Sequence, residues 1–174
     1  MKHLAIVLFV LLCGCARHAA NDYPSLQTVE RVDLNRYLGT WYEIARYPNS
    51  FQQGCLGSRA VYSLRDDGDI RVLNSCRDKD SGEERIAVGR AWVVDPPVNS
   101  RLQVSFFWPF RGDYWIIDLG RDYEYALVGT PNRKYLWLLS RTPQMAPVLY
   151  DALMQKAEKQ GFERARLIRE FHGR

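Results

Sequence analysis

The sequence of 174 residues has few of the groups on which metal and nucleophilic chemistry depend. It contains four Cys and three His, and two of the histidines, His3 and His18, stand near the N-terminus. The third, His172, is close to the C-terminus. Gly-x-Ser-x-Gly, His-Glu-x-x-His and phosphate-loop motifs are all missing. We therefore predict a protein that is not an enzyme and that needs neither a metal nor a cofactor.

Charge of one sign and long apolar runs are also scarce. The 24 Lys and Arg are scattered among 20 Asp and Glu, so the net charge of +4 forms no basic stripe. This pattern argues against nucleic-acid binding. A hydrophobic fraction of 47% is enough for one packed core at this length. The only long apolar run lies within the first 15 residues, which excludes several membrane spans.

That N-terminal run has the order of an export signal. Lys2 precedes the apolar residues 4–12, and small residues follow. Nine helical residues rise only about 14 Å, too little to cross a bilayer core of roughly 30 Å. A buried core helix is the alternative interpretation. The string Leu12-Cys13-Gly14-Cys15 resembles the bacterial lipobox, with Cys13 in place of the usual Ala or Ser.

The lipobox resemblance implies a lipid-anchored protein. Residues 1–14 would be the signal peptide, and Cys15 would be lipidated and attach the chain to the membrane. In bacterial lipoproteins, a residue such as Ala16 in place of Asp implies sorting to the outer membrane, and we place the protein on the periplasmic face. Residues 15–32 would be the lipidated Cys and a tether, and residues 33–174 the folded domain.

Two cysteines remain for the folded domain once Cys13 and Cys15 are assigned to the signal and the lipid. Cys55 and Cys76 flank a predicted hairpin whose turn is at residues 66–69. Folding this hairpin brings them close, although not directly opposite each other. In the oxidising envelope we predict a disulfide that closes a loop of about 20 residues and contributes roughly 3 kcal/mol. A reactive thiol or half of a metal site is the alternative.

Strand and turn patterns dominate from Thr40 onward. Turn residues such as Asp67-Gly68 and Pro131-Asn132 separate eight short runs, which predicts an all-β sandwich or barrel. The predicted strands span 40–47, 57–65, 70–77, 84–94, 101–108, 113–120, 124–130 and 135–141. One helix follows, from Pro147 to a stop at Gly161. Its spacing predicts a stripe against the outer barrel wall, formed by Val148, Leu149, Ala152, Leu153 and Lys156.

Three short motifs give the chain a family resemblance. Gly39-Thr40-Trp41 opens the first strand, Asp122-Tyr123 precedes the seventh, and Ser140-Arg141-Thr142-Pro143 closes the eighth. Their order and spacing resemble those of the lipocalins. Longer strings, such as residues 37–46 and 135–143, resemble the bacterial outer-membrane lipocalins and the apolipoprotein D group. The resemblance runs from about residue 32 to residue 162.

The resemblance implies an eight-stranded, antiparallel, up-and-down β-barrel with the helix packed outside. A closed barrel of this size leaves room for one small ligand. Trp41 would fill the closed end, and Arg141 would lie over its face as a cation–π pair worth roughly 0.5–2 kcal/mol. The fold-signature residues are Gly39, Trp41, Asp122, Tyr123 and Arg141.

Strand alternation and the resemblance together indicate the interior wall. If Trp41 points inward, so do Glu43 and Ala45; if Arg141 does, so does Leu139. The predicted ligand-binding residues are Tyr62, Val72, Asn74, Ala87, Gly89, Ala91, Val104, Phe106, Val128, Tyr135 and Trp137. Such a wall suits the acyl chain of a fatty acid or lysophospholipid, stored or transported for envelope maintenance. Each of these residues could instead simply pack in the core.

The segment 106–115 places six aromatic residues around one turn. Counting turns from the closed end puts it at the open mouth, with residues 48–56, 78–83 and 130–134. We expect Phe110 and Trp108 near the rim, where they would touch lipid or a second subunit and so leave a homodimer open. Three cations at this end could bind an anionic head group or be ordinary solvated charges: Arg111, Arg133 and Lys134.

Two other classes of function compete with lipid carriage. A lipocalin-fold enzyme would have to use Glu43 or a free Cys. A carboxylate inside an apolar barrel has a raised pKa unless it is paired, so Glu43 would pair with a buried Arg, bind a ligand hydroxyl or form a polar floor. An envelope protein-interaction module predicts a filled barrel. The small residues Ala87, Gly89 and Ala91 argue against that filling.

Overall fold

Eight antiparallel strands close into a barrel in the computed structural model, which describes residues 23–173. Each strand pairs with its neighbours in the chain, and β1 also pairs with both β2 and β8, so the sheet closes on itself. This confirms the predicted up-and-down topology. The strands are β1 (Gly39–Arg46), β2 (Cys55–Leu64), β3 (Ile70–Asp78), β4 (Glu84–Val93), β5 (Arg101–Phe107), β6 (Phe110–Leu119), β7 (Tyr125–Gly129) and β8 (Leu136–Ser140).

A ninth strand, which the sequence did not predict, fills the seam between β1 and β2. This strand, β9 (Ile168–Arg169), pairs with the end of β1. The amide of the next residue, Glu170, donates to the carbonyl of Ile44 at 2.9 Å. Its carboxylate accepts hydrogen bonds from the amides of Gly57 and Ser58 on β2. The C-terminal segment therefore joins the two strands where they diverge.

A one-turn helix, α1 (Leu34–Tyr37), covers the closed end of the barrel. The side chain of Asp33 caps it by accepting a hydrogen bond from the amide of Asn35 at 3.0 Å. Trp41 is completely buried, and its indole N–H donates to the carbonyl of Tyr37 at 2.8 Å. Trp41 therefore fills the closed end, as predicted, and its indole packs beneath α1.

Arg141 joins the separate pieces of the closed end. Its guanidinium carbon lies 3.8 Å from the centroid of the Trp41 ring. The same group donates to three backbone carbonyls, those of Arg36, Thr40 and Tyr123. Because one planar cation contacts α1, β1 and the β6–β7 turn together, it is a fold residue, as the resemblance implied.

The two other parts of the fold signature lie around this Arg. Gly39 adopts a φ of +94°, which other residues rarely adopt. The hydroxyl of Tyr123 accepts a hydrogen bond from the amide of Asp33 at 2.8 Å. The guanidinium of Arg36 lies over the Tyr123 ring and 3.8 Å from Asp122.

The long helix, α2 (Pro147–Lys159), packs on the outer wall of the barrel as predicted, but on a different stripe. Val148 is 82% exposed, and Ala152 and Lys156 are also exposed, so none of the three belongs to the contact surface assigned to it. The buried positions follow an i, i+3, i+4, i+7 pattern: Tyr150, Leu153, Met154 and Ala157. The predicted stripe began at Val148 and Leu149 and was therefore out of phase with the packed face, which includes Tyr150 and Met154.

The predicted tether is packed against the barrel over its C-terminal part. Leu26 and Val32 are buried, and the amide of Val29 donates to the carbonyl of Ile116 at 3.0 Å. Residues 23–32 therefore belong to the fold, because their apolar side chains have barrel surface to cover. The proposed signal peptide and the lipidation of Cys15 lie outside the described residues. No helix among residues 23–173 combines the length and apolar character needed to cross a membrane.

The predicted disulfide between Cys55 and Cys76 is present, with the two Cα atoms 5.4 Å apart. Cys55 is opposite Asp78 in the β2–β3 ladder, so the two cysteines are close but not directly paired, as expected. Neither sulfur is a free thiol. Within residues 23–173, no group of three or more His, Cys, Asp or Glu side chains is placed to hold a metal ion.

Candidate functional site

The barrel encloses a cavity of about 970 Å³ that opens at the end opposite Trp41. Its mouth is bordered by Phe51, by Phe110 at the start of β6 and by Asn132, as the count of turns predicted. Apolar side chains form most of its wall. Nine of the eleven predicted ligand-binding residues line it: Tyr62, Val72, Asn74, Ala87, Ala91, Val104, Phe106, Tyr135 and Trp137.

The remaining two predicted residues, Gly89 and Val128, do not line the cavity. Gly89 faces inward, but Phe106 covers it: a Cβ atom added there would lie 2.8 Å from the Phe106 ring and from the Ser105 carbonyl oxygen. Val128 is completely buried in the packed layer near Ile116. Strand alternation predicts that both residues point into the barrel, but it does not show whether a neighbouring side chain separates them from the cavity.

A bulge in β1 redirects the strand halfway along the wall. Glu43 is opposite Leu139 on β8, but Ala45 is opposite Leu138, so one extra residue, Ile44, is inserted. Ala45 consequently packs in the outer cluster beneath α2, and its predicted inward orientation is wrong. Arg46, opposite Trp137, takes the inward direction instead.

The redirected Arg46 forms the centre of a buried ionic cluster. Its guanidinium pairs with Glu43, at 2.7 Å between Nη1 and Oε1, and with Glu170. The Gln52 amide donates to the second oxygen of Glu43 at 2.8 Å and accepts from the Trp137 indole at 3.1 Å. Burial raises the pKa of Glu43, and Arg46 and Gln52 only partly oppose that rise. Of the roles weighed for Glu43, pairing with a buried Arg is the one observed.

Three phenols meet on the floor of the cavity. The hydroxyl of Tyr114 lies 2.8 Å from that of Tyr37 and 3.0 Å from that of Tyr62. Burial raises the pKa of Tyr62 to about 12, and it raises those of Tyr37 and Tyr114 well above their usual value. All three are therefore neutral hydroxyl groups at physiological pH.

Sequence reasoning found only Tyr62 of these three. Tyr114 is opposite Leu102 and two residues beyond Gly112, which is opposite the predicted inward residue Val104. Extending the alternation of β5 to β6 would have identified Tyr114. Tyr37 reaches the cavity from α1, which carried no strand pattern.

Aromatic side chains surround the mouth of the cavity. Phe107, Trp108 and Phe110 are 78–79% exposed, and Phe51 packs against Tyr135 with ring centroids 5.7 Å apart. The expected position of Trp108 and Phe110 at the rim agrees with this arrangement. Such a set of exposed rings is typical of a contact surface.

The three cations predicted for the mouth have different environments. Arg111 and Lys134 are exposed beside the cavity. Arg133 is buried and donates to the carbonyls of Pro24, Pro131 and Gln160. It is therefore engaged in holding the N-terminal segment and α2 and does not face the cavity, contrary to the head-group role considered for it.

A one-ligand barrel plugged by a Trp–Arg pair, with a helix on its outer wall, has the architecture of the lipocalins. Solved structures agree on this fold. Insecticyanin from the tobacco hornworm Manduca sexta superposes with a TM-score of 0.67 at 18% identity, over 85% of each chain. Lobster apocrustacyanin A1 superposes with a TM-score of 0.66 at 18% identity, over 80% of this chain and 79% of that one.

The chain belongs to the lipocalin family, because residues 32–172 match the family model described as Lipocalin-like domain. Outer membrane lipoprotein Blc of Citrobacter freundii is 44% identical over 164 residues, which cover 94% of this chain and 92% of that protein. Outer membrane lipoprotein Blc of Vibrio cholerae is 40% identical over 163 residues, 92% and 95% of the two chains. Bovine apolipoprotein D is 36% identical, over 80% and 76%. The two bacterial relatives support the outer membrane as the location of this chain.

Proposed function

We propose that this lipocalin binds a fatty acid or lysophospholipid by burying its acyl chain inside the barrel, and that it stores or carries this lipid at the outer membrane. No bond is made or broken in this mechanism. The observation that carries the proposal is the open cavity of about 970 Å³ with a mostly apolar wall. Its volume lies within the range of about 300–1,000 Å³ that is typical of small-molecule sites.

The energetics of burying an acyl chain favour such a ligand. Each buried methylene contributes about 0.8 kcal/mol, so a chain of about 14 methylenes gains roughly 11 kcal/mol. The loss of translational and rotational freedom opposes binding by at least about 4 kcal/mol. At most about 7 kcal/mol then remains, so the Kd is in the low micromolar range or weaker. This affinity suits a carrier that must also release its cargo.

The distribution of charge supports an orientation with the head group at the mouth. Arg111 and Lys134 are exposed beside the mouth, where a carboxylate or phosphate would meet them. Arg46 is already paired with two carboxylates, and the floor phenols are neutral. An anion placed at the floor would therefore lose its water without gaining a cation.

The exposed rings at the mouth complete the proposal. Phe107, Trp108 and Phe110 would touch lipid and form the gate through which the acyl chain enters. A lipid anchor on Cys15 would keep this gate near the membrane, on the periplasmic face. A second subunit is the alternative contact for the same rings, and it would form a homodimer.

Two neighbouring substitutions on β4 test where the lipid binds. Ala87 faces the cavity, whereas Val88 points to the outside and is 52% exposed. The indole of Ala87→Trp should occupy part of the cavity and exclude the acyl chain, and Val88→Trp is the matched control. Gly89 is a poor position for a substitution that fills the cavity, because the Phe106 ring and the Ser105 carbonyl already occupy the space where its side chain would lie.

The readout is native mass spectrometry with lipid extraction of each protein purified from bacterial envelopes. We expect co-purified fatty acid or lysophospholipid in the wild type and in Val88→Trp, and its loss in Ala87→Trp. Lipid retained equally by both variants would move binding from the cavity to the rim. Absence of lipid in all three proteins, even after fatty acid is added, would refute the carrier function.

A further inference from the structure

The phenol cluster on the cavity floor has more hydrogen-bonding capacity than it uses. It consists of Tyr37, Tyr62 and Tyr114, and its hydroxyl groups make two mutual contacts. Three hydroxyls supply three O–H donors, and each contact uses one of them. One donor and several lone pairs therefore remain for a group that enters the cavity. Among residues 23–173, these hydroxyls have no other hydrogen-bond partner.

The cluster lies where the far end of a bound chain would arrive. Tyr37 comes from the helix that covers the closed end, and its ring centroid is 4.9 Å from that of Trp41, the plug. Tyr62 is on β2 and Tyr114 is on β6, so the three phenols approach from different sides of the floor. A ligand whose head group stays at the mouth therefore brings its opposite end to them.

The floor is suited to a neutral oxygen and not to an anion. Arg141 lies beyond the Trp41 ring and donates to backbone carbonyls, and Arg46 is paired with Glu43 and Glu170. Within residues 23–173, neither guanidinium donates a hydrogen bond to a floor phenol. A buried hydroxyl or carbonyl group can be satisfied by phenol donors and acceptors alone, whereas a buried carboxylate needs a counter-charge.

We infer that this phenol cluster is a second polar subsite, which binds a neutral hydroxyl or carbonyl oxygen at the far end of the ligand. This inference rests on the proposed function and specifies its substrate class: acyl chains that carry an oxygen at or near the ω end. An unsubstituted methyl end leaves the spare phenol donor without a partner. An ω-hydroxyl supplies that partner.

Three fatty acids of equal chain length test the inference on the wild-type protein. They are hexadecanoic acid, its ω-hydroxy derivative and the corresponding α,ω-dicarboxylate. Calorimetric titration of the full chain, first stripped of bound lipid, should give an affinity for the ω-hydroxy acid about twofold to tenfold tighter than for hexadecanoic acid. The dicarboxylate should bind most weakly, because it places an anion on the floor.

A variant that removes the cluster shows whether the phenols cause this order. Tyr37→Phe, Tyr62→Phe and Tyr114→Phe are combined, because losing all three hydroxyls leaves no phenol unpaired and keeps the rings. In the triple variant the order of the first two acids should reverse. The matched control is Tyr135→Phe, which removes a cavity phenol near the mouth and should keep the wild-type order.

The outcomes separate this inference from the proposed function. Equal or weaker binding of the ω-hydroxy acid by the wild type would overturn the inference, and so would an unchanged preference in the triple variant. The wild-type comparison of three acids remains decisive if the triple variant does not fold. Binding of none of the three acids would instead overturn the proposed function.

Discussion

Removing the guanidinium of Arg141 should destabilise the closed end of the barrel far more than its partly exposed position suggests. Arg141→Met keeps much of the apolar stem over Trp41 but deletes the charge and all donors. The wild-type side chain makes three hydrogen bonds to backbone carbonyls, at 2.7–3.1 Å, and a cation–π contact at 3.8 Å. We therefore expect a loss that is the combined effect of four contacts.

The magnitude follows from the exposure of those contacts. Water can reach the released carbonyls, so each hydrogen bond contributes about 0.5–1 kcal/mol. The cation–π contact contributes about 0.5–1 kcal/mol at a partly exposed site. Arg141→Met should lower the free energy of unfolding by about 2–4 kcal/mol. For a domain of this length, that corresponds to a decrease in Tm of roughly 5–15 °C.

Urea unfolding followed by tryptophan fluorescence measures this loss. Arg141→Lys should give an intermediate value, because an ammonium keeps the charge but cannot reach three carbonyls with a planar fork. The control is Arg121→Met, a loss of the same charge at the same end from an exposed side chain. It should change stability by less than about 0.5 kcal/mol. An Arg141→Met protein as stable as this control would refute the structural role assigned to Arg141.

Three further predictions concern other parts of the fold. Leu153→Ala should cost about 2–5 kcal/mol because it opens a cavity under α2, whereas Val148→Ala should stay within about 0.5 kcal/mol; equal effects in urea unfolding would contradict the observed stripe. Replacing both Cys55 and Cys76 by Ser should lower unfolding stability by roughly 3 kcal/mol through the freed 21-residue loop, and an unchanged denaturation midpoint would count against this. Burial raises the pKa of Glu43 in the folded protein above that in the unfolded chain. Protonation of Glu43 therefore stabilises the folded protein, fully at pH values below the unfolded pKa, and this stabilisation is lost as pH rises through the folded pKa. Wild-type stability should therefore fall relative to Glu43→Gln as pH rises above about 4, and parallel pH profiles of the two proteins would disprove it.

Strand periodicity predicted most of the barrel, because regular alternation ties sequence position to direction. Ala87 and Ala91 on β4 illustrate this success: their register with β3 and β5 places both on the cavity wall. The same reasoning failed at Ala45, since one inserted residue in β1 reverses every later direction. A bulge of this kind has no reliable signature in a single sequence, because its position depends on the partner strand.

Features that depend on contacts between distant segments were also outside the reach of sequence patterns. Arg133 looks like a loop cation, but its partners are residues about 27 and 109 positions away in the chain. Tyr37 looks like part of the approach to the first strand, yet it supplies one of three phenols on the cavity floor. Such roles require the closed barrel, which brings both ends of the chain to one surface.

The position of Arg133 also determines how a membrane-anchored barrel would be oriented relative to the membrane. By holding the carbonyl of Pro24, it fixes the start of the packed chain beside the 130–134 loop, at the open end. Tyr23 lies against Gly161 at the same place. The eight steps from Cys15 to Tyr23 extend over at most about 26–29 Å. A lipid anchor at Cys15 would thus suspend the domain with its opening toward the leaflet, and cargo would pass between two hydrocarbon environments over less than one bilayer thickness.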